Sequence, residues 1–212
     1  VGSKNVPGQS TAVGAQNTIY GLDYYNGNLY AGGSFTNIGS SNCLRIARYD
    51  GTNWYDMKGG VRQFANVNAV KGHNGHIYAA GYFTNIGVAN THAVGGWDGT
   101  NWYAMGKPNA KDTKRGLFFS QFVNGYANFI CGYTGNTVIA GGYFTNTDYT
   151  TPGVSYVAKF DGPGWTNMGG GFRNVGNCGV YDPIYNKFYL GGAFTNNQPT
   201  NTSRHMNYVA EW

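Results

Sequence analysis

The chain contains one phrase four times, and this repetition limits the fold more than any other feature of the sequence. A hydrophobic run ends in two small residues, then one variable residue, then Phe-Thr-Asn. The copies end at Asn37, Asn85, Asn146 and Asn196. Their phenylalanines are separated by 48, 61 and 50 residues, so the middle spacing contains an insertion. A repeat near this length is typical of an array of similar units, each of which buries its apolar face against its neighbours.

A second phrase follows the first and supplies turn residues. An aromatic residue, Asp-Gly and a tryptophan recur in residues 48–54, 96–102 and 159–165, and Ala210-Glu211-Trp212 matches the start of a fourth copy. Asn26-Gly27 and Asn74-Gly75 precede the first phrase, and such pairs are typical of two-residue hairpin turns. Each repeat therefore predicts four short strands, the last of which carries the tryptophan.

The composition favours strands over helices. The 212 residues include five leucines, a single glutamate and 11% charged residues, so strong helix formers are scarce. The 35 glycines alone would suggest low complexity, but 17% aromatic residues supply material for a core, which argues against disorder. Repeats of four strands without a helical pattern are the signature of propeller blades. We predict an all-β, four-bladed β-propeller with four-stranded antiparallel blades.

The N-terminal segment is predicted to close the ring. Residues 3–8 align with residues 165–170, which begin at the tryptophan of the third repeat, so they would supply the outer strand of the last blade. Closure of this kind removes an exposed sheet edge. We expect a single domain over residues 1–212, with blades at about 17–58, 65–106, 127–169 and 175–212 and an insertion at about 106–126.

The order of these features resembles the kelch repeat, in which a Tyr-x-Gly-Gly strand end precedes an aromatic-Asp turn and a tryptophan. The wording Gly-Gly-x-Phe-Thr is even more similar to the bacterial delta-60 type of propeller repeat. The resemblance covers nearly the whole chain and implies a propeller fold. It implies no single activity, because such propellers include adaptors, surface proteins, lectins and a copper oxidase. Kelch proteins commonly have six or seven blades, so a partial ring completed by another chain stays open as an alternative.

The recurring aromatic residues are interpreted mainly as core residues. We expect one phenylalanine and one further aromatic residue per repeat to fill the gap between neighbouring blades: Phe35, Phe83, Phe144, Phe194, Tyr49, Trp97, Phe160 and Trp212. Trp54, Trp102 and Trp165 lie on the predicted outer strands and have two interpretations. These rings cover the sheets or pack between blades, or they stack on sugar rings as the sugar-binding residues of a lectin with one site per blade.

The insertion is the most individual segment of the chain. Lys107, Lys111, Lys114 and Arg115 stand there against Asp112, which leaves only +2 of the net charge of +5 to the rest of the chain. Basic residues followed by aromatic ones suit an acidic or protein partner, so the candidate partner-binding residues are Lys107, Lys111, Lys114, Arg115, Phe118 and Phe119. The alternative is that the insertion is a solvent-exposed loop without a binding role. Four clustered cations are too few to indicate nucleic-acid binding.

Residues for catalysis or metal binding are sparse. His73 and His76 flank the Asn74-Gly75 turn, but no third ligand lies near them in sequence. The carboxylates form no recognisable catalytic pair, and no nucleophile stands beside a base. Three widely spaced cysteines argue against disulfides or a zinc site and predict buried free thiols. We expect no metal or other cofactor and no enzymatic activity, with a metal-dependent enzyme as the minor alternative.

The sequence therefore predicts a non-enzymatic binding or structural module. Low charge with abundant Asn, Thr, Tyr and Gly suits exposed surfaces, so we expect protein–protein contacts in a surface or secreted assembly, such as a viral or phage particle. A carbohydrate-binding propeller is the alternative function. No apolar run reaches the ~18 residues that a transmembrane helix needs, so we expect no membrane insertion.

Overall fold

Strands make up the regular structure of the chain. The computed structural model describes residues 14–62, 65–107, 115–120, 123–147, 151–152, 154–168, 172, 174–194 and 208–212. Within these ranges every regular element is a β-strand, and none of the described segments forms a helix of the length and apolarity that a membrane crossing requires. The prediction of an all-β chain is confirmed.

Four antiparallel sheets follow one another along the chain, and we number them in that order. Sheet 1 contains Ile19–Tyr25, Asn28–Gly33, Ile46–Tyr49 and Trp54–Asp56. Sheet 2 contains Asn66–His73, His76–Tyr82, Val94–Trp97 and Trp102–Ala104. Sheet 3 contains Tyr126–Gly132, Val138–Tyr143, Val157–Phe160 and Trp165–Asn167. Sheet 4 contains Gly176–Asp182, Lys187–Gly192 and Val209–Glu211. In each sheet the strands pair in chain order, so one repeat corresponds to one sheet.

Seven further strands of the described residues lie in the connections between these strands. They are Asn37–Ile38, Ser41–Asn42, Thr91–His92, Arg115–Ser120, Val123–Asn124, Asn146–Thr147 and Thr151–Pro152. The predicted Asn-Gly hairpin turns are present: Asn26 and Gly27 have φ angles of 47° and 79°, and Asn74 and Gly75 have 45° and 84°. Two successive positive φ angles are what a tight hairpin turn of this kind requires, which explains the residue choice.

Consecutive sheets pack face to face through their first strands. The amide of Asn68 in sheet 2 donates to the carbonyl of Ala127 in sheet 3 at 3.0 Å, and the amide of Asn128 donates to the carbonyl of Gly176 in sheet 4 at 3.4 Å. These two asparagines occupy the same position in their repeats, beside a register shift in the first strand. The repeated sequence thus produces a repeated contact between sheets.

The hydrophobic core is divided into layers between the sheets. One cluster joins sheets 1 and 2, a second joins sheets 2 and 3, and a third joins sheets 3 and 4. All four phenylalanines of the first phrase are buried: Phe35, Phe83, Phe144 and Phe194. Each sheet is apolar where it meets its neighbour, as expected for repeats that cannot bury their faces alone.

The second set of aromatic residues follows the prediction in part. Phe160 is buried, and Tyr49 and Trp97 are half-buried. Trp212 is 51% exposed, although its backbone pairs with Phe188 as its counterparts pair in the other sheets. The expectation that Trp212 fills a gap between sheets is not met, because no sheet covers it among the described residues.

The fourth strand of sheet 4 was expected from residues 3–8, and these lie outside the described residues. In the described part of the chain, no strand pairing joins sheet 4 to sheet 1.

The insertion contains a strand that ties sheets 2 and 3 together. Arg115–Ser120 pairs in parallel with Thr91–His92 and antiparallel with Asn146–Thr147. Leu117 and Phe118 are fully buried, and the Phe118 ring lies 4.4 Å from the ring of His92. Phe118 was expected to contact a partner; its burial gives it a packing role instead.

The cysteines differ in environment. Cys43 and Cys131 are buried free thiols, and burial raises the pKa of Cys43 to about 11 and that of Cys131 to about 12. Cys178 is exposed, so the expectation of three buried thiols is wrong at this position. It lies on sheet 4, on a face that no described residue covers.

Candidate binding site

A cleft of about 560 Å³ lies between sheets 1 and 2. Its size falls within the range of about 300–1,000 Å³ that is usual for small-ligand sites. The cleft is lined by Tyr25, Asn26, Tyr30, Arg48, Tyr55, Asp56, Met57, Lys58, Gly75, Ile77, Trp97, Gly99 and Thr100. Four of these residues are aromatic and three carry a charged side chain, so the cleft offers both apolar surface and polar groups to a ligand.

One wall of the cleft is a row of side chains across sheet 1. Tyr30 pairs with Arg48 and Arg48 pairs with Tyr55, so the three residues stand side by side on one face of three adjacent strands. The guanidinium of Arg48 lies 4.8 Å above the centre of the Tyr55 ring. It also donates from Nη1 to Oδ1 of Asn28 at 3.1 Å. These two contacts hold the Arg48 side chain across the wall of the cleft.

The opposite wall comes from a row of sheet 2 that is displaced by one residue from the counterpart of the sheet 1 row. Ile77 pairs with Trp97, and Trp97 pairs with Trp102. The rings of Trp97 and Trp102 are 5.4 Å apart. Trp102 is buried, whereas Trp97 is half-buried and lines the cleft.

Tyr25 closes the cleft at its inner side. Its ring packs on the backbone of Gly72, where any side chain would overlap it, and its hydroxyl accepts a hydrogen bond from the amide of Gly75 at 2.6 Å. Gly72 is required here because the two sheets approach so closely.

Two bonds close the cleft at its outer side. The indole N–H of Trp102 donates to the carbonyl of Met57 at 2.6 Å, and the ammonium of Lys58 donates to Oδ1 of Asn101 at 2.9 Å. Asn101 belongs to a turn that Asp98 organises by accepting bonds from the amides of Thr100 and Asn101. These bonds hold the pKa of Asp98 below its usual value. The cleft is therefore bounded at both sides by contacts between the sheets.

The electrostatic environment of the cleft is positive. Arg48 and Lys58 stand against one carboxylate, Asp56, whose Oδ2 accepts a bond from the amide of Gly59 at 2.7 Å. Burial raises the pKa of the Tyr30 phenol, and the neighbouring Arg48 charge offsets part of this rise. Tyr30 consequently lines the cleft as a neutral hydroxyl at physiological pH.

The equivalent space between sheets 2 and 3 is filled by a tyrosine. Gly96 and Tyr103 occupy the positions of Arg48 and Tyr55, and the Tyr103 ring lies where a side chain at Gly96 would be. The Tyr103 hydroxyl is 3.2 Å from Nδ1 of His76, and the ring packs against the core cluster of sheets 2 and 3. Burial raises the pKa of Tyr103 strongly. One glycine therefore lets the outer tyrosine fold inward.

Two of the three tryptophans predicted as sugar-binding residues form contacts between sheets. Trp102 and Trp165 are buried, and the indole N–H of Trp165 donates to the carbonyl of Met105 at 3.1 Å, as that of Trp102 does to Met57. Trp54 is half-buried, and its ring lies 5.0 Å from that of Tyr49. Neither Trp102 nor Trp165 offers a ring face to a ligand, so the geometry does not repeat one sugar site in every sheet.

The predicted partner-binding residues of the insertion are only partly described. Lys107 is exposed, and Arg115 is half-buried at the start of its strand. Lys111 and Lys114 lie outside the described residues, as does the side chain of Phe119. The structure does not bring these residues into one described surface.

Sequence reasoning missed the cleft residues Arg48, Tyr55 and Lys58. A signal was present for two of them, because their positions vary between repeats: Arg48 corresponds to Gly96 and Lys159, and Tyr55 corresponds to Tyr103 and Thr166. A residue that differs between otherwise similar repeats is a candidate for a binding function that is specific to one repeat. Within the described residues, no three His, Cys, Asp or Glu side chains gather as metal ligands.

Comparison with family models gives a match over part of the chain. A model of the family described as a domain of unknown function (DUF5122) beta-propeller matches residues 26–52, which extend from the first hairpin turn of sheet 1 to its Asp-Gly turn. No curated protein matches the chain at a significant level. The matched segment contains the first phrase, Tyr30, Arg48 and the aromatic residue of the second phrase. Together with the all-β sheets, this match supports a β-propeller repeat protein.

Proposed function

We propose that the chain is a non-enzymatic binding module, built as a four-bladed β-propeller, whose ligand occupies the cleft between sheets 1 and 2. The observation that carries the proposal is the contrast between this cleft, which is lined by Arg48, Tyr55 and Trp97, and the filled junction at Tyr103. A junction that only packs two sheets has no need of a cationic wall. The cleft therefore has the features of a site for a ligand.

The scarcity of acidic residues supports a binding role over catalysis. The chain has nine Asp and Glu residues, and in the cleft the single carboxylate, Asp56, is engaged by the amide of Gly59. A general acid–base pair requires two groups placed on opposite sides of a substrate. Surface display in a secreted or particle-bound assembly agrees with the low charge of the chain.

Ring closure is supported by the exposed faces of the first and last sheets. Leu22 and Tyr24 are 57% and 72% exposed on sheet 1, although the corresponding Val70 and Gly72 face sheet 1 from sheet 2. Sheet 4 exposes Val180 and Val209 on its free face. Large apolar side chains on the two end faces suit packing of sheet 4 on sheet 1, with residues 3–8 as the outer strand.

A cross-linking experiment tests the closed ring. A Leu22→Cys variant treated with a short bis-maleimide is expected to link residue 22 to Cys178 within one chain, which mass spectrometry detects as a joined peptide in the monomer fraction. Tyr55→Cys is the matched control, because this residue faces sheet 2 and should give no such link. Links found only in dimers would overturn the four-bladed ring in favour of one completed by another chain.

A binding panel tests the cleft. The full chain is applied to an array of saccharides and short peptides, alone and with the cleft variants Arg48→Met and Tyr55→Ala. The matched controls are Lys159→Met and Thr166→Ala, which change the corresponding positions of sheet 3. We expect any ligand of the wild type to be lost with the cleft variants and kept with the controls. A ligand that both cleft variants bind as tightly as the wild type would exclude the cleft as the site.

A further inference from the structure

The contacts of the Arg48 guanidinium indicate what the cleft binds. Among the described residues the ion pairs are Lys71 with Asp23 and Lys187 with Glu211, and neither includes Arg48. Asn28 takes one bond from the guanidinium, and Tyr55 supports its plane. An arginine held flat by an aromatic ring, with donors left over, is well suited to accept a carboxylate through two parallel bonds.

The neighbours of Arg48 favour an anion as well. Lys58 adds a second positive charge at the outer side, and its φ of 53° shows a backbone held in the left-handed region by its surroundings. The neutral phenol of Tyr30 lies beside Arg48 in the same row and can donate a hydrogen bond. Asp56 is the anion that lines the cleft, and it is turned toward its own loop by the Gly59 amide. Asp50, in the Asp-Gly turn next to the cleft, interacts with the Arg48 charge and with the Tyr55 hydroxyl, and it also accepts bonds from the amides of Thr52 and Asn53.

The remaining walls suit a ring that carries hydroxyl groups. Tyr55 is 39% exposed and Trp97 is half-buried, so both present aromatic surface to the cleft. Asn26 and Thr100 lie at turns along its rim and provide side chains that donate and accept. Aromatic surface beside a few polar groups is a common way to bind an amphipathic ring.

The boundaries of the cleft limit the length of its ligand. The Tyr25–Gly75 bond crosses between the sheets at the inner side, and the Met57–Trp102 and Lys58–Asn101 bonds cross at the outer side. An extended peptide would need an open groove or a free strand edge along its whole length. A space of about 560 Å³ closed on two sides fits one or two rings better than an extended chain.

We propose that this cleft binds a saccharide that bears a carboxylate, with Arg48 holding the carboxylate and the aromatic rings of Tyr55 and Trp97 contacting the sugar. The inference rests on the proposed function, namely that the cleft is the binding site, and it names the chemical class of the ligand. It places one site among the described residues, since there only sheet 1 combines an arginine with an outer tyrosine in this row: sheet 2 has Gly96 and Tyr103, sheet 3 has Lys159 and Thr166, and sheet 4 has Glu211 at the position of the arginine.

Titration with defined sugars tests the inference. Glucuronic acid and galacturonic acid are compared with glucose and galactose by isothermal titration and by the fluorescence of the tryptophans. We expect the acidic sugars to bind at least tenfold more tightly than their neutral counterparts, and this preference to weaken as salt is raised. Arg48→Met should remove the preference, Arg48→Lys should keep part of it, and Lys159→Met should leave it unchanged.

The outcomes separate the inference from the function on which it rests. Acidic sugars that bind no better than neutral ones, or a preference that survives in Arg48→Met, would overturn the saccharide carboxylate assignment. Selective binding of a short glutamate peptide, lost in Arg48→Met, would also overturn it while keeping the cleft as the site. Circular dichroism of each variant confirms that a loss of binding reflects the cleft and not unfolding.

Discussion

Two junctions between sheets can be compared, that of sheets 1 and 2 and that of sheets 2 and 3. They share a framework, the contacts that hold the sheets together, and differ in one row of side chains. In both, an aromatic ring of the earlier sheet packs on a glycine of the later one: Tyr25 on Gly72, and His73 on Gly132. In both, the ring also bonds the next hairpin turn, as Nε2 of His73 does with the carbonyl of Gly135 at 2.8 Å. The spacing of the sheets is therefore set by parts common to the repeats.

The difference lies on the third and fourth strands of the earlier sheet. Arg48 supports Tyr55 at the edge of an open cleft, whereas Gly96 lets Tyr103 fold inward and fill the same space. The side chain on the third strand therefore decides whether the tyrosine beside it packs against the next sheet or stays available at the cleft. A binding site can thus appear at one junction without any change in the framework.

The largest expected effect concerns the shared framework. In Gly72→Ala the new methyl group would overlap the Tyr25 ring, so we expect a loss of about 3 kcal/mol or more in the free energy of unfolding. Gly132→Ala should cost a similar amount, because the His73 ring covers it in the same way. Urea denaturation measures both. Gly14→Ala, which has nothing within 4 Å, is the control, and a cost for Gly72→Ala as small as that of the control would contradict the common framework.

The next effect separates the two junctions directly. Tyr103→Ala should destabilise the chain by about 2 to 3 kcal/mol, because it removes a ring packed into the core. Tyr55→Ala should cost less than about 1 kcal/mol, because its ring is at the surface of the cleft. Equal costs in urea denaturation would show that Tyr55 packs as Tyr103 does.

A smaller effect is expected from the bonds that tryptophans make between sheets. Trp102→Phe and Trp165→Phe each lose one indole N–H bond and some buried volume, and each leaves a carbonyl without that donor. We expect each variant to lose about 1 to 2 kcal/mol. Thermal unfolding checks this, and a neutral Trp102→Phe would indicate that water replaces the bond at Met57.

The smallest effect concerns alkaline pH. Burial raises the pKa of Tyr103, so the unfolded chain loses this proton at a lower pH than the folded chain does. The resulting stability is complete below a pH of about 10, the ordinary value for tyrosine, and is lost as the pH rises above it. Tyr103→Phe should therefore reduce the fall in the urea midpoint between pH 9 and 11. An unchanged fall would indicate that other groups cause it.

The repeat framework could be predicted from the sequence, because its residues act locally. The Asn-Gly turns, the strand that ends at the glycine pair and the buried phenylalanines depend on short-range patterns that recur in each copy. The Asp-Gly-Thr-Asn turn is equally local, since Asp50 accepts bonds from the amides of Thr52 and Asn53.

The cleft could not be predicted, because it depends on pairing between distant strands. Only the register that places Tyr30, Arg48 and Tyr55 in one row shows that they face sheet 2 together. The same holds for Phe118, whose burial follows from pairing of its strand with Thr91–His92 and Asn146–Thr147. Trp102 and Trp165 were ambiguous for the same reason, since the carbonyls that they bond lie 45 and 60 residues earlier in the chain.

The bonds from tryptophan to methionine have a consequence for how such a chain diverges. Trp102 and Trp165 donate to the main-chain carbonyls of Met57 and Met105, which every amino acid possesses. Substitution of the methionine therefore leaves the acceptor of the bond in place, and only the tryptophan side chain is required. In a chain that arose by duplication of one repeat, the residues of the facing rows could therefore be substituted in each repeat separately. Each junction between sheets could then bind a different ligand while the tryptophan bonds keep the sheets at the same spacing.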